Sequence, residues 1–236
     1  MVIAIIAVLM GILMPTLNRV REQGRRAVCL NHMKTLTLCW IMYAHDNNDR
    51  LVPNGDGANY TGWIGGQFLV NPTDGTNVNL LKAPIGYLWN YNQSLGIYKC
   101  PADKTVVKVG NTILGPRVRS MSLNGNMNGN SWYTEQTRLT YFTFRKLSEI
   151  IRPTPAQAFV FLDESPSTLD DGYFLVVFNS IYWANDPGNF HNGACGLSFV
   201  DGHSEIHKWL DPDTLAEVKP PSPKGPRDVP WIQVRT

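Results

Sequence analysis

The residues best equipped for chemistry are His191, Asp201 and His203, with Asp163 or Glu164 available from a separate stretch of chain. Histidine combined with carboxylate suits a transition metal such as zinc, whereas calcium would take the oxygens alone. A divalent metal on His191, Asp201, His203 and Glu164 would open the way to a metal-dependent hydrolase. The plainer reading is structural. Asp201-Gly202 lies between two apolar runs, where Asp-Gly makes a tight hairpin because glycine accepts positive φ. A hydrogen bond from His191 to Asp201 would then pin that loop. A short motif match carries little by itself, so the structural reading is preferred and no bound cofactor is expected. His203 and His207 have a helical H-x-x-x-H spacing, yet they sit in a strand-like stretch. Side chains four apart on a strand lie about 13 Å from each other, too far for one metal.

Other chemistry finds less support. There is no G-x-S-x-G, Ser122 and Ser165 have no evident base, and no phosphate-cradling loop is present. No catalytic residues are assigned, and the chain is read as a non-enzyme. Seven Trp, nine Tyr and nine Phe could build a sugar-binding platform, although core packing explains aromatics more cheaply. The formal net charge of +2 makes no case for a nucleic-acid partner.

The elements that must position these residues start with an apolar run, MVIAIIAVLMGILM, over residues 1–14. Without a basic opening or a small-residue cleavage site it does not read as a signal peptide. Fourteen residues rise only about 21 Å, against about 30 Å for a hydrocarbon core, so a buried core helix remains open on length. A core helix would normally show a polar face, and this run has none. The reading adopted is a membrane or filament helix, with Val2, Ile3, Ile5, Ile6, Val8, Leu9, Ile12 and Leu13 as its assembly residues. Cys29, Met33, Leu36, Trp40 and Tyr43 follow at spacings of four, three, four and three, which sets them on one helical face. Pro15 would kink this helix and Asp46-Asn47-Asn48-Asp49 would end it. An apolar half that projects beyond a head has nothing to bury it in a single water-soluble copy.

The remainder reads as a loop-rich α+β head. Leu80–Tyr91 could hold a short helix. Strands are expected over Val118–Leu123, Ala158–Leu162 and Phe174–Phe178, with a final hairpin of Gly196–Val200 and Ser204–Trp209. The expected organisation is residues 1–15 as the membrane or filament half of the helix, 16–48 as its amphipathic half, 49–217 as the head and 218–236 as a Pro-rich surface tail.

The stretch VIAIIAVLMGILMPTLNRVREQGRRAVCLNHMKTL resembles the N-terminal helix of pseudopilins and type IV pilins. His191, nine residues and then Asp201-Gly202 match the C-terminal signature of planctomycete-type prepilin-like proteins. YKCPAD at 98–103, RSMSLNGNM at 119–127, FVFLDES at 159–165 and the final DVPWIQVRT are also family-like, so the resemblance spans most of the chain. It implies a pilin-like α+β fold, with the long helix packed on an antiparallel sheet decorated by irregular loops. It also implies a bacterial inner-membrane subunit with its head exported to the periplasm or cell surface. Partners would be the membrane, other pilin-like subunits and a prepilin peptidase acting on the precursor. Family members carry a basic leader cut before a Phe-Thr-Leu-Ile-Glu type sequence. No residue here corresponds to that Glu, so the chain is expected to start late relative to the family. Arg19, Arg21, Arg25 and Arg26 would lie in the cytoplasm by the positive-inside rule, whereas the resemblance places them outside it. The expectation follows the resemblance.

Four cysteines, Cys29, Cys39, Cys100 and Cys195, allow three complete pairings, and none forms a C-x-x-C. Free buried thiols and a disulfide both stay open. A Cys29–Cys100 bridge would tie the helix to an exported head.

Overall fold

The computed structural model of the chain describes residues 2–55, 61–130 and 143–236; for residues 2–5, 7, 8, 12, 13, 55 and 130 it describes the backbone alone. Helix α1 runs from Val2 to Asp46, 45 residues with Pro15 inside it, or about 68 Å. Every described side chain from Ile6 to Arg21 is exposed. From Cys29 onward the helix is docked: Cys29, Met33, Leu36 and Trp40 are fully buried and Tyr43 is half-buried. It ends where Asn48 and Asp49 take left-handed φ values of 55° and 67°. Their short polar side chains tolerate that conformation. The Asn47 amide also donates to the Tyr43 carbonyl at 2.8 Å, satisfying an end-of-helix acceptor.

Among the described residues nine strands follow: β1 (Asn54–Gly55), β2 (Val106–Val109), β3 (Thr112–Pro116), β4 (Met121–Asn124), β5 (Gly129–Asn130), β6 (Phe159–Asp163), β7 (Tyr173–Phe174), β8 (Ala194–Phe199) and β9 (Ser204–Lys208). Two short helices close the chain, α2 (Pro212–Leu215) and α3 (Asp228–Gln233). The central sheet has the order β7-β4-β6-β8-β9. Its β4–β6, β6–β8 and β8–β9 pairs are antiparallel and β4–β7 is parallel, so the sheet is mixed where a purely antiparallel one was expected. Architecture at this level is α+β, a long N-terminal helix on a largely antiparallel sheet.

The alternation along β8 explains how α1 comes so close. Cys195, Leu197 and Phe199 point to one face and join the cluster with Phe159, Leu162 and Trp209. The other face carries Gly196 and Ser198, and there Thr37 of α1 donates to Ser198 Oγ at 2.6 Å. Small residues under a helix let the two backbones approach. A register shift in β6 between Phe159 and Leu162 sends Val160 and Phe161 to the α1 side.

Several expectations need correction. The second face of the sheet is covered by the C-terminal segment: Val229 and Ile232 of α3 are buried and Trp231 packs beside them. Residues 227–236 are therefore part of the core and not a tail; the irregular, half-exposed stretch is Val218–Ser222. The third expected strand stops at Phe174. Leu80–Tyr91 is not one helix but two 3₁₀ turns, Val78–Leu81 and Tyr87–Asn90. The β2–β3 hairpin, turning at Gly110 with φ 56°, was not foreseen. No helix among the described residues is long and apolar enough to cross a membrane.

Candidate functional site

The Asp201-Gly202 turn is local. Gly202 has φ 89°, and Asp201 Oδ1 accepts from both the His203 backbone N–H (3.0 Å) and its Nδ1–H (2.5 Å). The His203 ring lies flat on Phe199. His207 stacks instead on Trp231, with ring centroids 3.6 Å apart. Glu164 belongs to another network. Ser122 Oγ donates to its Oε2, Asn185 Nδ2 donates to its Oε1 at 2.8 Å, and burial raises its carboxyl to about 7 against the pull of Ser122 and Arg119. Buried Arg119 completes that network by donating to Ser122 Oγ and to the Met121 and Asp170 carbonyls. The expected metal set of His191, Asp201, His203 and Glu164 is thus not assembled, and His191 is not bonded to Asp201.

His191 turns the other way, toward the neck where α1 enters the head. Four groups converge there: Cys29 from α1, Cys100 from the loop after the 3₁₀ turn Leu95–Tyr98, Asp163 at the end of β6, and His191 just before β8. One ligand atom from each lies within 4.8 Å of all the others, and all four residues are 0% exposed. Among the described residues this is the one such group of three or more, and it could hold a metal ion.

The contacts are specific. Cys29 Sγ–H donates to Asp163 Oδ2 at 3.2 Å, and Cys100 Sγ meets His191 Nε2 at 3.2 Å. His191 Nδ1 lies 2.8 Å from Glu22 Oε1. That carboxylate accepts the Nδ1–H hydrogen bond and so turns Nε2 toward the sulfurs. Arg26 donates to the His191 carbonyl at 2.7 Å and pairs with Glu22 at 3.4 Å. The Gly196 N–H and the Ser120 hydroxyl donate to the two oxygens of Asp163, at 3.1 and 3.4 Å. The Ala102 N–H points at Cys100 Sγ from 3.4 Å.

These contacts sort the protons. The Cys100 thiol is lowered to about 5, first by the adjoining Cys29 thiol, with burial opposing and His191 reinforcing. Cys29 is raised by the adjoining Cys100, by burial and by Asp163. Burial raises Asp163 as well. Burial pulls His191 down, but Cys100, Glu22 and Asp163 together carry it up to about 9. These directions place negative charge on the Cys100 sulfur opposite positive charge on the His191 ring, and disfavour it on Cys29 and Asp163. Such a pair could act as a nucleophile if a substrate reached it. A cavity of about 410 Å³ lined by Glu22, Arg25, Lys104 and Asn192 reaches its outer layer and touches none of the four.

All four cysteines are free thiols: of the two alternatives the sequence left open, the Cys29–Cys100 bridge is not formed, although its two ends do meet. The apolar assembly residues divide. Ile6 and Leu9 are exposed at 50% and 54%; the side chains of Val2, Ile3, Ile5, Val8, Ile12 and Leu13 lie outside those described. Glu22 and Gly196 were missed. The one signal for Glu22 was its position seven residues before Cys29, two turns along the same helical face. No model of a known protein family, no curated protein and no solved structure matches the chain.

Proposed function

We propose that this chain is a non-enzymatic, pilin-like subunit of a type II secretion or type IV pilus-like envelope assembly. It self-associates through the first half of α1, with its head on the outer side of a bacterial inner membrane. The reading rests on one observation. Ile6, Leu9, Met10, Met14, Leu17 and Val20 are each close to half exposed or more, on a stem that contributes no described buried side chain before Cys29. Apolar surface of that extent in water is sheltered by lipid or by sister helices. The pilin-like arrangement, the prepilin-peptidase step and the membrane partner come from the sequence resemblance.

The test keeps the whole chain. Leu9→Lys, Met14→Lys and Leu17→Lys are combined, and sedimentation in detergent-free buffer is compared with the parent. The parent should form large species that detergent disperses, and the triple variant should sediment as a monomer. A monomeric parent would end the proposal.

A second reading has its own observation. Tyr43, Tyr87 and Tyr91 cluster with ring centroids 6.1 and 6.3 Å apart, and with Asn47 and Asn90 they line an open cavity of about 370 Å³. Aromatic faces flanked by amides suit a glycan or an extended peptide. Selective binding on a glycan array, lost in Tyr87→Ala, would favour a stalked binding module. Under this reading the same helix serves only as the stalk.

A further inference from the structure

The neck cluster is buried beyond the exposed apolar part of the stem, and its chemistry is independent of the assembly reading. We propose that Cys29, Cys100, Asp163 and His191 form a closed, four-coordinate centre for a thiophilic divalent metal of the zinc class. Its role is to clasp the stem helix to the head.

The donor set selects the metal. Two sulfurs, one imidazole and one carboxylate are the ligands of zinc and its neighbours, whereas calcium and magnesium need oxygens throughout. The spacing fits as well. Zinc–ligand bonds of about 2.0–2.3 Å place the corners of a tetrahedron roughly 3.3–3.8 Å apart. The hydrogen-bonded contacts of 3.2 Å and the 4.8 Å limit on all pairs bracket that range. An ion entering the cluster would displace the Cys29 thiol proton, widen the two 3.2 Å contacts and draw the wider pairs together.

The surroundings are those of a metal site. The pairing of Glu22 with His191 Nδ1 is the carboxylate–imidazole arrangement that fixes a ligating histidine and leaves its other nitrogen free. Gly196 and Ser120 hold the carboxylate, and the Ala102 N–H supports the Cys100 sulfur. Arg25 and Arg26 offset the acidity that two thiolates, Asp163 and Glu22 would bring. Gly196 keeps the space open, because a Cβ there would stand 3.0 Å from Cys29 Sγ and 3.3 Å from Asp163 Oδ2. A disulfide would use two of the four groups and leave a sealed histidine and carboxylate behind. A metal uses all four. Full burial leaves no open coordination position for a substrate, so the centre is structural.

The experiment uses the full chain, purified under reducing conditions, stripped with chelator and titrated with Co²⁺ and then Zn²⁺. The expected result is one equivalent bound per chain. Co²⁺ should show intense tetrahedral bands and thiolate-to-cobalt charge transfer, and Zn²⁺ should displace it. Cys29→Ser and Cys100→Ser should each weaken binding at least tenfold, whereas Cys39→Ser and Cys195→Ser, which remove equally buried thiols, should not. A stripped chain that melts cooperatively yet takes up no Co²⁺ overturns the proposal. Unchanged binding in Cys29→Ser or Cys100→Ser overturns it too. Should those variants not fold, the cobalt spectrum of the parent decides, because spectra without sulfur charge transfer also reject the site.

Discussion

At the scale of single residues, the neck depends on two side chains that do not touch the metal position. Glu22→Gln removes the charge that holds His191 Nδ1–H while keeping the shape. It should weaken Zn²⁺ binding about 10–100-fold, read by competition with a chromophoric chelator. Gly196→Ala should cost about 1–3 kcal/mol in a urea titration, because its Cβ meets Cys29 and Asp163 in a packed layer. The sequence named the parts of this site without its composition. His191 and Asp163 entered as candidates, and Cys29 and Cys100 entered as a pair joining helix to head. That two candidate sets are one site depends on contacts between residues 134 and 91 positions apart, Cys29 with Asp163 and Cys100 with His191, which no local pattern records. Asp201 and His203 misled because their chemistry is spent on each other across two residues.

At the scale of elements, the apolar stripe of α1 was readable because helical spacing is local. Trp40 is its largest member and is fully buried. Trp40→Ala should cost about 3–5 kcal/mol and lower the denaturation midpoint accordingly. The C-terminal helix was not readable, because VKPPSPKGP before it signals irregular chain and only six residues of helix follow. Its docking is what buries His207, whose imidazole is lowered to about 4 by burial, against the pull of Asp228. A histidine depressed below its unfolded value of about 6.5 binds fewer protons when folded. Its contribution is complete above about pH 6.5 and is lost as pH falls toward 4. For a half-exposed ring, screening holds this to roughly 1–2 kcal/mol. His207→Gln should flatten that part of the stability–pH curve, measured by chemical denaturation at pH 7 and pH 4.5.

For the whole molecule, the stem and the head divide the surface by chemistry. The stem exposes Leu9, Met10 and Met14, and the head seals a sheet buried on both faces. The lysine variants should therefore change the state of association and leave the melting of the head within about 1 kcal/mol of the parent, because exposed positions contribute little to folding. The layout also fixes how the chain would carry a load. A pull on the projecting end acts along the axis of α1 and would slide it across the small-residue face of β8. Resistance to that slide comes from the buried Met33, Leu36 and Trp40 stripe, from the Thr37–Ser198 bond and from the neck contacts of Glu22, Arg26 and Cys29. The Glu22 and Arg26 contacts to His191 lie nearest the pulled end, so tension reaches the neck before the rest of the docked helix.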